Sequence, residues 1–510
     1  MVSENNKTIV KNTLLLYFRM ILIMAVSLYT VRIVLSALGV VDYGIYNVVG
    51  GIVSMFTFLS SSMASASQRF FAFELGKNDS EKLKQTFSLT LLIYFGIALL
   101  AIIVAETVGL WFLNNKMIIP EERLSAANWV YQFSIMSFVI TILITPYKAV
   151  IIARENMKIF ASVSIVEVLI KLLVVYLILA FSVDKLKLYG FLILLTTILV
   201  SLIYYFYCRK NYKESRFSFY WEQEMFKELV SYSGWNMLGS LANVLKIYGT
   251  NILLNMFFGP IVNAARGVAF QVSNVLSLFA ANFQLAVRPQ ITKLYAREEK
   301  EQMMSLIFSS TKFLYYLLMV LSLPVLLETE LLISIWLKEV PEYTILFTKL
   351  LIINILIETI NNQLVAALQA AGKIKLYQKV VSSLQLLLLP ISYLFYKLGY
   401  SAEVTFYILI AITLICYIPQ LLIVSRVVGL SIMKYIKDVI FVIIIVTAIT
   451  YIIPSIILIK MEYGIPRFLY VVLTGFVSSA ISIYFLGING NERILVRNYI
   501  SKKRDKLRKK

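Results

Sequence analysis

The chain has 510 residues, 60% of them hydrophobic, with 48 Lys and Arg against 28 Asp and Glu, for a formal net charge of +20. A mean hydropathy of +0.81 excludes a soluble globular protein, and continuous apolar runs without period-two alternation exclude a membrane β-barrel. Histidine is absent, which removes the commonest general base, metal ligand and proton relay, and Cys208 and Cys416 have no motif spacing and read as packing residues.

In chain order, fourteen apolar segments are predicted to span a membrane: 13–38, 43–66, 86–113, 126–150, 161–181, 188–208, 234–257, 263–287, 305–327, 344–370, 379–397, 404–424, 438–458 and 468–487. Met1–Lys11 is polar and the first apolar segment is too long for a signal-peptide core, so no cleavable signal is expected. The expected fold is an all-α polytopic membrane protein. An even number of spans places both ends on one side. Thirty-two Lys and Arg lie in the tail and the alternate connections that start at the N-terminus, and eight in the others. This bias predicts both termini in the cytoplasm and explains most of the net charge without a nucleic-acid partner. The basic tail, 488–510, suits weak contact with anionic membrane lipid.

The longest connection, 209–233, holds Glu222, Glu224, Lys227 and Glu228 and reads as an amphipathic surface helix and a hinge. After it the chain repeats. Glu106-Thr107, Trp111 and Pro120-Glu121 recur as Glu328-Thr329, Trp336 and Pro341-Glu342, and Gly39 recurs as Gly259. The near-constant offset predicts two parallel six-helix lobes, 1–227 (with its connecting loop) and 228–436, around a central cavity. Two further helices, 437–487, and the tail follow.

Intramembrane charges are costly and mark candidate sites. Arg19 and Arg32 lie on the first segment. On the second, Asn47, Gly51, Ser54, Ser61, Ser65 and Gln68 recur at helical spacing, which fits tight helix packing or a cavity lining. Lys148 lies beside Pro146. Glu167 and Lys171, four apart, make either a self-neutralising pair or a cavity-lining, ion-coupling one. The seventh segment carries Asn236, Gly239, Asn243, Lys246 and Thr250 along one face, and the eighth carries Asn263, Arg266, Ser273, Ser277 and Gln284. These two lines predict a wet, cationic substrate path. The rival reading for its bases is satisfaction by backbone carbonyls or a carboxylate. Lys312 and Lys349 sit near segment ends and are expected to snorkel. Glu358 has no charge partner within a turn of its helix and is the best candidate for a titrating or cation-binding carboxylate.

Several stretches resemble bacterial polysaccharide flippases, most of all the O-antigen type. They are Asn12–Tyr17, Leu38–Asn47, Gly259–Ala265, Arg288-Pro289-Gln290, and Trp336-Leu337 with Val340–Tyr343. That family belongs to the multidrug/oligosaccharidyl-lipid/polysaccharide (MOP) superfamily. The resemblance implies two six-helix lobes, a cationic V-shaped cavity and alternating access. It also implies a cargo of undecaprenyl-pyrophosphate-linked oligosaccharide in the bacterial cytoplasmic membrane, with polysaccharide polymerase or assembly proteins as further partners and no cofactor. A multidrug/cation antiporter of the same superfamily stays open, although intramembrane bases outnumber acids. A membrane polymerase or ligase needs a sizeable outer loop, and none is present. A structural scaffold would leave the polar lines unexplained.

Overall fold

The computed structural model describes residues 2–77, 79–154, 156–490 and 493, and side chains from Met20 onward except at a few positions, among them 231–236. Every regular element among the described residues is helical. The run Val2–Ser54 is broken at Gly39, whose φ of 78° and ψ of 168° are a glycine conformation, giving α1 (2–38) and α2 (40–54). A turn at 55–56 leads into α3 (Thr57–Gly76). Then come α4 (Ser80–Lys116), α5 (Glu121–Ala153), α6 (Met157–Ala180) and α7 (Lys185–Asn211). A helix over 223–258 is α8, and Pro260–Ala296 is α9. The chain continues with α10 (Lys300–Leu327), α11 (Thr329–Trp336), α12 (Thr344–Ala370) and α13 (Lys375–Lys397). It ends with α14 (Val404–Val428), α15 (Ile432–Lys460) and α16 (Ile465–Gly487).

This is an all-α polytopic membrane protein. Among the described residues, 11 helical runs are long and apolar enough to cross a membrane. Gly39 makes two segments of the first. The helices α8 and α9, which carry the polar lines, are not among the 11. Three boundaries differ from the sequence expectation, the first being the turn at 55–56 that interrupts the predicted segment 43–66. The connection over 209–233 turns helical at Gln223 and runs unbroken into α8, because no proline or positive-φ glycine interrupts 223–258. Helix α9 continues through Pro289 to Ala296, since losing one amide donor does not end a well-packed helix.

The chain forms two compact units. The first comprises Met1–Gln271, Leu337–Thr344 and Ser382–Thr405. Its alternate connections gather at opposite ends. At one end Arg123, at the start of α5, donates Nε to Asp42 at 2.8 Å and Nη1 to Asp184 at 3.0 Å. Burial raises the Asp184 carboxyl, but the Lys187 amide and the Arg123 guanidinium outweigh it and hold Asp184 below its usual range. At the other end Arg154, closing α5, donates Nε to Glu214 at 2.7 Å and lies over the Tyr212 ring. Cys208 is buried in this unit.

The second unit comprises Val272–Trp336, Ile345–Val381 and Phe406–Lys510. Its core joins α10, α12 and α14 to α15 through Leu314, Met319, Ile352, Val424 and Val446. The α15–α16 hairpin is fastened by Thr450 to Ser482 at 2.6 Å, by Tyr316 Oη donating to Gly487 O at 3.2 Å, and by Arg467 on Glu328 at 2.7 Å. Cys416 is buried here. Lys312 is also buried, with 5% exposure, and does not snorkel: α10 starts at Lys300, which sets Lys312 three turns inside the helix.

Candidate functional site

The hairpin of α8 and α9 turns on a single residue, Gly259, whose amide donates to Asn255 O at 2.9 Å. Beside the turn, amide side chains bond to one another inside the first unit. Asn263 is fully buried and donates to Asn251 O at 2.6 Å and Asn251 Oδ1 at 2.9 Å. Asn255 donates to Asn263 Oδ1 at 2.9 Å and accepts from the Ile118 amide at 2.9 Å. Asn251 donates to Asn47 O at 3.0 Å, which ties α2 to the hairpin. Glycines permit the approach: a Cβ on Gly44 would lie 1.9 Å from Pro260 O, and one on Gly267 would lie 2.9 Å from Asn47 Nδ2. Asn47, Gly51 and Asn263 therefore serve helix packing here, by close backbone approach and interhelical hydrogen bonds.

Arg266 sits nearly two turns into α9 with 8% exposure. Its Nη2 donates to Ile247 O at 2.5 Å, its Cζ lies 5.4 Å from the Phe270 ring centroid, and its Nε has no hydrogen-bond partner. Among the described residues no carboxylate pairs with it. The accepting carbonyl belongs to a π-helical turn, Leu245–Gly249. Such a turn interrupts the regular i→i+4 bonding and leaves a carbonyl for a side-chain donor.

The same turn bends the predicted polar line of α8. A π turn adds a residue, so Asn243, Lys246 and Thr250 no longer share the face that a 3.6-residue period assigns them. Asn243 is exposed, Lys246 half-buried, and Thr250 buried with its hydroxyl on Lys246 O at 2.6 Å. Arg32 is exposed on the face of α1 that also carries Tyr29, whose hydroxyl meets that of Tyr176 at 3.1 Å. Glu167 and Lys171 form the expected ion pair at 2.6 Å, part-exposed, and Lys148 feels both charges. The side chains of Arg19 and Asn236 lie outside the described residues.

In the second unit, α9 and α12 border a cavity of about 380 Å³. From α9 it is lined by Ser277, Gln284 and Arg288, and from α12 by Glu358, Thr359 and Asn362. Arg288 donates through Nη2 to Gln284 Oε1, which steadies the guanidinium. A guanidinium with amides and hydroxyls around it can hold a phosphate by charge-assisted hydrogen bonds and pair with sugar hydroxyls. A carboxylate on the facing helix adds an acceptor or a cation ligand.

The model of one protein family, described as polysaccharide biosynthesis protein, matches residues 9–295. The chain belongs to this polysaccharide biosynthesis family. One curated relative is the uncharacterized membrane protein EpsK of Bacillus subtilis (strain 168), 21% identical over 284 residues, which are 55% of each chain. The match thus spans about half the length of that relative. Among solved structures, the lipid II flippase MurJ in an inward closed conformation superposes with a TM-score of 0.67 at 13% identity, covering 96% of this chain and 100% of its own. An inward-facing multidrug resistance MATE family transporter of the MOP superfamily gives 0.62 at 14% identity, covering 81% and 99%. These likenesses show the fold.

For this polysaccharide biosynthesis family member, the sequence points to Ser277, Gln284 and Glu358, while the predicted segment 263–287 stops one residue short of Arg288. The helix in fact continues past it, and Arg288 lies one turn beyond Gln284 on the cavity side. The available signal was the i, i+4, i+7, i+11 series Ser277, Ala281, Gln284 and Arg288, which Pro289 obscures.

Proposed function

We propose that the chain is a flippase carrying an undecaprenyl-pyrophosphate-linked oligosaccharide, such as an O-antigen or capsule repeat unit, from the inner to the outer leaflet of the bacterial cytoplasmic membrane. The observation that supports this best is the α9–α12 cavity, which sets Arg288, Gln284, Ser277 and Asn362 together. Apolar cargo does not need that set, whereas a phosphate-bearing sugar does. Arg266 adds a buried guanidinium with a donor to spare. Lys246 and Arg32 extend the cationic character of the first unit, and one neighbour in fold is itself a flippase. The lobes 1–227 and 228–436 would rock about the cargo, with 437–487 outside their symmetry and both termini in the cytoplasm. Polymerase or assembly proteins would receive the product.

The test is transfer of a fluorescent lipid-linked oligosaccharide across reconstituted vesicles. Arg288→Ala is expected to lose transfer at unchanged protein level, and Arg288→Lys to keep part of it. Full transfer by Arg288→Ala would remove the cavity from the mechanism. Absence of transfer by the unsubstituted protein would count against the flippase reading itself. A second reading, a cation antiporter, is favoured by Glu358 in the same cavity. It predicts ion-gradient-driven efflux of a cationic dye that is lost in Glu358→Gln.

A further inference from the structure

The first unit contains a second cavity, of about 470 Å³, lined by apolar side chains and two glycines. Its walls are α2 and α3 with the turn between them (Ile52, Phe56, Phe58), α4 (Val104, Val108, Phe112), α8 (Leu241, Leu245, Leu253) and Leu389 of α13. Three wall elements lose regular α-helical form beside it. The chain turns at 55–56, α4 makes a π turn over Ala105–Gly109, and α8 makes one over Leu245–Gly249. Both π turns end in a glycine, and Gly109 and Gly249 both line the cavity. Such turns are strained and recur at functional sites.

The cavity adjoins an exposed apolar strip of α4, the kind of surface that a membrane span turns to lipid. Val108 at its lip is 60% exposed, in continuity with exposed Leu100, Ile103 and Trp111 on the outer side of α4. Water is a poor occupant, because it finds no polar partners among these side chains. An empty space this large forfeits dispersion contacts along its whole lining. Hydrocarbon from the surrounding bilayer meets both demands, and the volume falls in the range of small-molecule pockets. We propose that this cavity is a binding site for one acyl chain of a bilayer phospholipid, which enters sideways past Val108 and lies against the two π turns. No headgroup recognition is needed, as the lining offers no charged side chain. The inference does not depend on the nature of the cargo.

The test uses the full chain in nanodiscs made of phospholipid with a diazirine in its acyl chain, followed by irradiation and peptide mapping. Adducts are expected on Phe56, Leu245 or Leu253 as well as on the outer residues Leu99 and Ile103. Leu253→Trp, which fills the cavity, should lose the inner adducts and keep the outer ones. The retained outer adducts and a monodisperse elution profile report that this variant is folded. Ile252→Phe serves the same purpose if Leu253→Trp does not fold. Inner adducts that are absent, or that persist in a folded filled variant, would overturn the proposal. Labelling of the cavity by a photoreactive polyisoprenoid but not by phospholipid would also overturn it and assign the site to another lipid. A crosslink between two copies through these residues would overturn it in favour of a dimer interface.

Discussion

Gly39 and Gly259, 220 positions apart, share one backbone conformation: φ 78° and ψ 168° at the first, φ 77° and ψ −173° at the second. Each ends one helix and starts the next, ahead of α2 and of α9. Residues with a Cβ are strained there by about 1–3 kcal/mol. A Cβ at Gly39 would meet nothing within 4 Å, and one at Gly259 would meet only Ile118 at ordinary contact distance. Steric exclusion therefore plays no part. Gly39→Ala and Gly259→Ala are each expected to lower thermal stability by the conformational term alone. Fluorescence-detected size-exclusion melting checks this, and an unchanged melting temperature in both would count against it.

The glycine pair shows what the sequence made legible. The recurrence of Gly39 as Gly259 and of Glu106-Thr107 as Glu328-Thr329 was visible as spacing, and both Glu-Thr pairs sit where a helix is interrupted. The order of the membrane segments was legible because long apolar runs have few other solutions, but their ends were not: a turn at 55–56 divides the predicted 43–66 segment, and Pro260–Ala296 outruns 263–287. The candidate site was less so. The polar line on α8 assumes 3.6 residues per turn, and the π turn at Leu245–Gly249 rotates Thr250 away from Asn243. No propensity scale marks such a turn. Asn263 read as a wet residue, yet its amide is satisfied by Asn251 and Asn255, because polarity alone does not separate a buried network from a cavity wall.

Asp184 gives a pH prediction. Its carboxyl is held below its usual range by the Lys187 amide and Arg123, against the opposing effect of burial. With the folded pKa depressed, the unfolded chain binds the proton more readily. The stabilising contribution is then fully present above the ordinary aspartate pKa of about 3.9. It is lost as pH falls through the lower, folded value. Melting temperature should fall over that acid window in the unsubstituted protein and fall less steeply in Asp184→Asn. Parallel profiles would show that this end of the first unit does not depend on Asp184 ionisation.

Glu328 and Arg467 form a bidentate pair, 2.7 Å on each arm, with side-chain exposures of 1% and 14%. Removing one partner leaves a buried charge, which typically costs about 3–5 kcal/mol. Arg467→Met should sit at the low end of that range or below, since the Arg467 side of the pair is part-exposed and water reaches it. Glu328→Leu together with Arg467→Met should recover most of the loss, because replacing both members of a buried pair is often neutral. The comparison of melting temperatures across the three variants decides it. A double variant as unstable as the single one would show that the pair is needed for more than charge balance.

Arg266 separates structure from transport. It is a buried cation with one bond to Ile247 O, an aromatic face from Phe270 and an unused Nε donor. A guanidinium taken out of water without an anion costs more than a carbonyl and a ring return. If its place were purely structural, the apolar Arg266→Met would remove that cost and leave Ile247 O short of a donor, an effect of about 1–3 kcal/mol in the opposite direction. The two nearly cancel, so the expected melting temperature is close to that of the unsubstituted protein. Under the flippase reading the spare donor is kept for a phosphate oxygen that arrives with the cargo. Arg266→Met should then lose transfer of a lipid-linked oligosaccharide while remaining folded. Arg266→Lys, which keeps the charge but not the planar fork, should retain a fraction of it. A folded Arg266→Met protein with full transfer would make Arg266 a packing residue and leave Arg288 to carry the anion.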